Sequence, residues 1–228
     1  MRFGKVTGLI FSIFLFVCTP LAAADIQYIS DAAQTEKILE QKGDKLFIAK
    51  RWYNYTFEIN PGKNAAGLHL RQVDPLEYGQ ALEETAFPLD VLGSYKVYFL
   101  DYRLALYPTA LALSFQDDSV VVFGTGIPLA RARLHRLAVH ELGHQIDFKL
   151  MDAEKWREYR SLRGLEDGRL YDNAGAVYEN RPQEIFAEDF RLLFGGEPAR
   201  EIPPLNGHLP EPGEVPGLKE FFLGLIPQ

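Results

Sequence analysis

His140-Glu141-Leu142-Gly143-His144 is the stretch from which the fold and the chemistry of this chain can be predicted. On a helix, residues four positions apart lie on one face about 6 Å apart, so both imidazoles can turn toward one ion. Glu141 is poorly placed to ligate that ion and suits a general base acting on water. Because a chain of this length matches the pattern by chance on the order of once in a hundred, the context must decide.

The residues on either side of the motif have helical spacing. The run from Pro128 to about Leu150 predicts one long helix, and a proline suits its first turn. Leu142 and Ile146 share a face opposite the two motif histidines. We therefore expect one side of this helix to pack on a core and the other to line a cleft.

Two further residues of this helix carry predictions. His135 falls on the packed side, so we interpret it as a core histidine rather than a ligand. Gly143 costs about 1 kcal/mol of helix propensity relative to Ala, so helicity does not favour it. A close approach of another backbone segment, or of a substrate, would account for a glycine at this position.

The composition and the N-terminus indicate a chain with a large core and a targeting segment. A length of 228 residues with 47% hydrophobic content suffices for one domain or for two lobes around a cleft. Arg2 and Lys5 precede an apolar run over residues 6–17, and small residues follow, which predicts a signal peptide over residues 1–24. The apolar run is shorter than the roughly 20 residues that span a bilayer. We expect a secreted, extracellular protein.

Charge and cysteine content restrict the partners and the stabilising bonds. Cys18, the chain's one cysteine, would leave with the signal peptide, so the mature chain would contain no disulfide. The signal also removes two of the 24 basic residues, which leaves 22 against 31 acidic ones and shifts the net charge from −7 to −9. This balance argues against nucleic acid or an anionic membrane as a partner. We expect a monomer that binds a peptide or protein substrate.

The chain ahead of the motif has patterns typical of short strands. We predict strands over residues 45–50, 55–59 and 95–102, and a helix over residues 31–42. Residues 111–123 predict a hairpin that leads into the motif helix. An exposed strand edge can hold an extended peptide, and this hairpin is the candidate for that role. Two internal strands are the alternative.

A zinc site needs a third protein ligand, because two imidazoles do not complete it. In one arrangement a Gly and then a His or Asp follow the second histidine, but Asp147 and Leu150 hold those places here. The other route takes a carboxylate from a later helix. Residues 182–190 begin with proline and have helical spacing. We predict Glu184 as the ligand and Glu188 as an acceptor of a hydrogen bond from a ligating imidazole.

The two motifs together resemble a known family of zinc peptidases. His140-Glu-Leu-Gly-His144-Gln-Ile-Asp147, followed by Tyr178 and Glu184-Ile-Phe-Ala-Glu188, is similar to the catalytic domain of anthrax lethal factor and to the secreted Pro-Pro endopeptidases. The similarity covers roughly residues 120–196.

This resemblance implies a gluzincin that binds Zn²⁺ through His140, His144 and Glu184, with Glu141 as the base. It also implies that Tyr178 stabilises the tetrahedral intermediate. The interval from that tyrosine to the ligand glutamate is one residue shorter here than in the family, so Tyr171 is the alternative.

We therefore predict an α+β, zincin-like fold, with a small twisted sheet over the active-site helix and a mainly helical C-terminal lobe. Residues 25–228 would form one zinc metallopeptidase domain, with lobes at about 25–150 and 151–228. The expected activity is endopeptidase cleavage of a proline-rich extracellular protein, with a preference for Pro-Pro sites. Two alternatives are a catalytically silent metal-binding adhesion or inhibitor module and a toxin-like peptidase of different specificity.

Overall fold

The computed structural model describes residues 25–52, 55–61, 69–172 and 175–227. The signal peptide predicted over residues 1–24 lies outside these ranges. Within them the protein is a mixed α+β structure with two small sheets. No helix in the described ranges is long and apolar enough to cross a membrane.

The strands precede the long helices along the described chain. The strands are β1 (Asp25–Ile29), β2 (Leu39–Lys42), β3 (Lys45–Trp52), β4 (Tyr55–Pro61), β5 (Ser94–Phe99), β6 (Tyr102–Leu104), β7 (Ala112–Phe115) and β8 (Ser119–Val122). The helices are α1 (Ala32–Thr35), α2 (Pro75–Glu83), α3 (Arg131–Leu150), α4 (Ala153–Arg163), α5 (Gly168–Tyr171), α6 (Pro182–Phe194), α7 (Glu197–Arg200) and α8 (Leu218–Gly224). Short 3₁₀ turns cover Glu36–Ile38, Leu89–Leu92, Tyr178–Asn180 and Pro212–Glu214.

Two four-stranded sheets replace the single sheet expected from the sequence. The first has the order β1-β5-β8-β7, with β5 parallel to both β1 and β8, and with β7 antiparallel to β8. The second is an antiparallel sheet of order β2-β3-β4-β6. Strand β7 therefore lies at an edge of the first sheet, whereas β8 is internal.

Several predicted elements are confirmed. They are the strands over 45–50 and 55–59, the hairpin over 111–123 and the helix over 182–190. The strand expected over 95–102 is shorter, because it ends at Phe99. The motif helix begins at Arg131, three residues after Pro128, with Ala130 as its N-cap.

The helix predicted over residues 31–42 is wrong in its second half. Only Ala32–Thr35 is α-helical, and Leu39–Lys42 pairs with β3 as strand β2. Gly43, at φ +66°, makes the turn between these strands, a conformation that glycine adopts without steric cost. Strand pairing in the sheet thus overrides a helical pattern of residues.

The main core lies where α3 packs against α6 and the first sheet. It joins residues from widely separated parts of the chain, among them Val97, Leu142 and Phe186, each with 0% exposure. Full burial of such side chains stabilises the fold by about 1.5–3 kcal/mol each. His135 is also 0% exposed, which confirms it as a core histidine.

A second core fills the space between the two sheets. Ile48 and Ile59 from the second sheet pack with Phe115 and Val121 from the hairpin β7-β8. One face of the hairpin therefore rests on the second sheet, and its other face is turned toward α3. This arrangement places the hairpin beside the motif helix.

Candidate metal centre

Helices α3 and α6 bring three potential ligands to one point. Glu184 Oε2 lies 3.2 Å from His140 Nε2 and 3.4 Å from His144 Nε2. One ligand atom from each of the three residues falls within a group no wider than 4.8 Å. His140 and Glu184, which are far apart in the sequence, thus lie close together. The prediction of Glu184 as the third ligand requires this proximity.

The separations from Glu184 to the two histidines have the spacing of a tetrahedral zinc site, whereas the group as a whole, up to 4.8 Å wide, is more open than a site closed around an ion. Nitrogen and oxygen ligands lie about 2.1 Å from zinc, so two of them at a tetrahedral angle are about 3.4 Å apart. The separations from Glu184 to both histidines match that spacing. Two imidazoles with one carboxylate are also a donor set that divalent zinc accepts while keeping a fourth position open.

The electrostatics of the group favour a bound cation. Burial opposes a proton on His140, but the carboxylates of Glu184 and Glu188 outweigh it and raise the pKa to about 10. Burial likewise opposes the charged form of Glu184, but His144 and His140 outweigh it and hold the pKa of that carboxyl well below its usual range. The two carboxylates therefore stabilise positive charge at the imidazoles, whether it comes from protons or from a metal ion.

Glu188 lies behind the first histidine. Its Oε1 is 2.8 Å from His140 Nδ1, and its Oε2 accepts a hydrogen bond of 2.8 Å from Arg191 Nη2. Arg136 Nη2 lies 3.3 Å from Oε1 on the exposed side. Arg191 is fully buried and also donates to the carbonyl of Ala199. Glu188 is thereby held so that it can fix the ring orientation and the tautomer of His140.

Glu141 has a different set of contacts from the three potential ligands. Ser114 Oγ, on β7, donates a hydrogen bond of 2.7 Å to Glu141 Oε2 and lies 3.2 Å from the backbone oxygen of the same residue. Both residues are buried, with exposures of 8% and 6%. One carboxylate oxygen is thus anchored by the edge strand, and the other has no partner within the described part of the chain.

A second buried contact fixes the hairpin against α3. Gln145, one turn after Glu141, donates from Nε2 to the carbonyls of Phe115 and Ser119, at 3.1 and 3.2 Å. Because these bonds cross from helix to hairpin, they set the height of β7 along α3. These bonds, together with the one from Ser114, therefore fix the position of the edge strand β7 relative to the carboxylate of Glu141.

The two candidate tyrosines lie in different places. Tyr178 is 49% exposed, yet burial of its phenol, the nearby charge of Glu184 and a hydrogen bond to that carboxylate raise its pKa far above the usual range. Tyr171 is buried, and its hydroxyl lies 3.3 Å from His208 Nε2. The structure thus brings Tyr178 to the metal centre and directs Tyr171 elsewhere.

Sequence reasoning missed Ser114 and Arg191. The first is the polar residue of an otherwise apolar strand, and the pattern of residues 112–115 could have drawn attention to it. The second lies one turn beyond Glu188 on the same helix face, a spacing typical of an ion pair. Both signals are weak without knowledge of which elements pack together.

The arrangement can bind a divalent ion and present a separate carboxylate, a phenol and a strand edge beside it. This combination has the parts needed for hydrolysis of an extended peptide by activated water. Comparisons with protein-family models, curated proteins and solved structures find no match for this chain.

Proposed function

We propose that this protein is a secreted zinc-dependent endopeptidase of the gluzincin type. The observation that carries the proposal is the convergence of His140, His144 and Glu184, with Glu141 beside them and not needed as a ligand. A purely structural zinc site has no use for an extra carboxylate anchored on a strand edge. The same proposal includes a zincin-like arrangement, in which the first sheet lies over the helix that carries the motif.

In this proposal, three residues hold the metal and Glu141 moves the proton. A zinc ion held by His140, His144 and Glu184 would polarise the scissile carbonyl and favour deprotonation of water. The free oxygen of Glu141 accepts a proton from the attacking water and then passes it to the leaving amine. Ser114 keeps the other carboxylate oxygen in place, so the base does not need to be oriented at each turnover.

Tyr178 and Glu188 have supporting roles in this mechanism. The phenol of Tyr178 is protonated at neutral pH, as every tyrosine with a pKa near or above the ordinary value of about 10 is, so it can donate to the oxygen on which negative charge develops. Glu188 accepts from His140 Nδ1, which would leave the Nε2 lone pair of that ring available to a bound metal ion.

The organisation of the chain is part of the proposal. Residues 25–228 would form one peptidase domain, with the cleft between an N-terminal lobe at about 25–150 and a C-terminal lobe at about 151–228. The signal peptide over 1–24 would direct the protein out of the cell. The mature protein would act as a monomer. Its substrate would be a proline-rich extracellular protein, with Pro-Pro sites as the preference that the resemblance implies.

Replacing Glu141 by glutamine tests the proposal. Wild-type protein and Glu141→Gln are loaded with zinc and incubated with a proteome-derived peptide mixture, and the products are identified by mass spectrometry. We expect the wild type to cleave, and the variant to bind zinc with similar affinity while losing at least about 10³-fold in turnover. Glu154→Gln, an exposed change on α4, is the matched control and should behave as wild type.

Two outcomes would contradict this proposal. A zinc-loaded Glu141→Gln variant with an undiminished rate would remove that residue from the mechanism. A zinc-loaded wild type that cleaves no peptide would instead favour the catalytically silent binding module.

A further inference from the structure

Tyr178 and Arg181 lie at the two ends of one short turn. The 3₁₀ turn covers Tyr178–Asn180, and the Arg181 N–H donates to the Tyr178 carbonyl at 3.1 Å. Side chains three residues apart in a 3₁₀ helix lie above one another. The turn therefore brings the side chain of Arg181 to that of Tyr178.

Arg181 is also the residue at which α6 begins. It is the N-cap of that helix, and its carbonyl accepts from the N–H groups of Glu184 and Ile185, each at 3.0 Å. The turn that carries Tyr178 and the helical turn that carries Glu184 thus meet at one residue. The backbone of Arg181 is therefore fixed relative to the metal centre.

The side chain of Arg181 contacts the segment that carries Tyr178 at two points. Its guanidinium carbon lies 5.8 Å from the centre of the Tyr178 ring. Its Nε donates a long hydrogen bond, of 3.5 Å, to the carbonyl of Ala176. Because a guanidinium is planar and is attracted to the face of an aromatic ring, the first contact is a cation–π interaction. Arg181 thus holds residues 176–178 on both sides of Val177.

Tyr178 needs such a contact because the core does not enclose its ring. The exposed fraction is 49% for Tyr178 and 59% for Val177 before it. A side chain that is half exposed keeps rotamer freedom, and ordering it costs free energy. A donor to a developing oxyanion is most effective when its position is set before the reaction begins.

We propose that Arg181 is a positioning residue, which holds the phenol of Tyr178 where it can donate to the developing oxyanion. The inference rests on the proposed peptidase function. Arg181 acts on the ring of Tyr178 and touches neither the metal nor the reacting atoms. Its side chain therefore contributes to kcat only through the hydroxyl of Tyr178.

Replacing Arg181 in two backgrounds tests this inference. The substrate is one peptide cleaved in the proteome-derived mixture. In zinc-loaded wild type, Arg181→Gln should lower kcat by about 2- to 5-fold, the size of an exposed cation–π contact, with KM and zinc affinity unchanged. Tyr178→Phe keeps the ring but has no hydroxyl to position, so Arg181→Gln should leave kcat unchanged in that background.

Two further variants complete the experiment. Arg181→Lys keeps a cation that can lie over the ring but lacks the planar group and the Nε donor, so it should restore part of the rate. Arg157→Gln, an exposed change on α4, is the matched control and should keep the parent kcat in both backgrounds. If Arg181→Gln fails to fold, Arg181→Lys in the same two backgrounds decides.

An equal fall in kcat in the two backgrounds, or a matching loss of zinc affinity, would mean that Arg181 acts on the substrate or on the metal centre. Either result overturns the inference and leaves the proposed function intact, as does an unchanged kcat in the wild-type background. Failure of zinc-loaded wild type to cleave any peptide overturns the proposed function, and the inference falls with it.

Discussion

Gly143 of α3 lies against the backbone of Ala187 of α6. A Cβ at position 143 would stand 2.8 Å from the Cα of Ala187 and 3.1 Å from its carbonyl oxygen. His140 and His144 flank the glycine, and Glu184 precedes the alanine by one turn. The two helices thus approach each other closely between the residues of the metal centre. Of the two explanations for this glycine, the structure supports the approach of a backbone segment.

Replacing Gly143 by alanine should therefore separate the two helices. Overpacking against backbone costs about 1–3 kcal/mol, and the gain in helix propensity of about 1 kcal/mol offsets only part of it. We expect lower stability in urea unfolding and about tenfold weaker zinc binding, because Glu184 moves away from the histidines. Gly224→Ala on α8 is the control, since a Cβ there meets nothing within 4 Å. Unchanged zinc affinity in Gly143→Ala would show that the helix contact does not position the ligands.

The helices of the metal centre could be predicted from the sequence because their signals are local. The spacing of His140 and His144 and the proline that opens residues 182–190 each depend on one segment of chain. Bringing Glu184 to the two histidines could be predicted only through the chemical need for a third ligand and the resemblance to a family.

What could not be predicted depends on contacts between distant segments. The segment 31–42 has a helical pattern, and only its pairing with β3 makes half of it a strand. The hydrogen bond from Ser114 to Glu141 needs the edge strand to lie against α3, and nothing local specifies that contact. The second sheet was missed for the same reason, since strand pairing is non-local.

Removing the Ser114 hydroxyl should slow catalysis without releasing the metal. In Ser114→Ala, Glu141 loses the bond that holds one carboxylate oxygen, and we expect kcat to fall about tenfold with little change in KM or in zinc affinity. Ser114→Thr keeps a hydroxyl and should restore most of the rate. Ser119→Ala on β8 removes a hydroxyl that bonds Asp117 instead, and serves as the control. A full rate in Ser114→Ala would mean that the base needs no anchor.

The effects of replacing Tyr178 and Tyr171 on kcat should show which of them stabilises the developing oxyanion. Tyr178→Phe removes the proposed donor to the developing oxyanion and should lower kcat by about 10²-fold while zinc affinity changes little. Tyr171→Phe loses only a contact with His208 and should keep the wild-type kcat. The reverse result would assign the role to Tyr171.

Glu188 should control metal affinity through His140. Glu188→Gln weakens the hydrogen bond to Nδ1 and leaves Arg191 without its carboxylate, so we expect zinc to bind about 10- to 100-fold more weakly in a competition assay with a chelating dye. Glu220→Gln on α8 changes an exposed residue of the same type and is the control. Wild-type affinity in Glu188→Gln would show that the orientation of His140 does not depend on this contact.

Asp147, one turn after His144, should make the stability of the zinc-free protein depend on pH. Burial raises the pKa of this carboxyl to about 6 from 3.8, and His144 and the indole N–H of Trp156, 3.1 Å away, only partly oppose it. The folded chain therefore binds this proton more tightly than the unfolded chain does. The contribution to stability is fully present below about pH 4 and is lost as the pH rises to about 6.

The loss should amount to about 3 kcal/mol, from about two pKa units at roughly 1.4 kcal/mol each. Asp147→Asn keeps an oxygen that accepts from Trp156 but has no proton to lose, so the stability difference between wild type and variant should change by that amount between pH 4 and pH 7. Urea unfolding in the presence of a chelator measures this difference, and groups that titrate equally in both proteins cancel. A difference that stays constant across this range would mean that the carboxyl of Asp147 has the same pKa in the folded and unfolded chain.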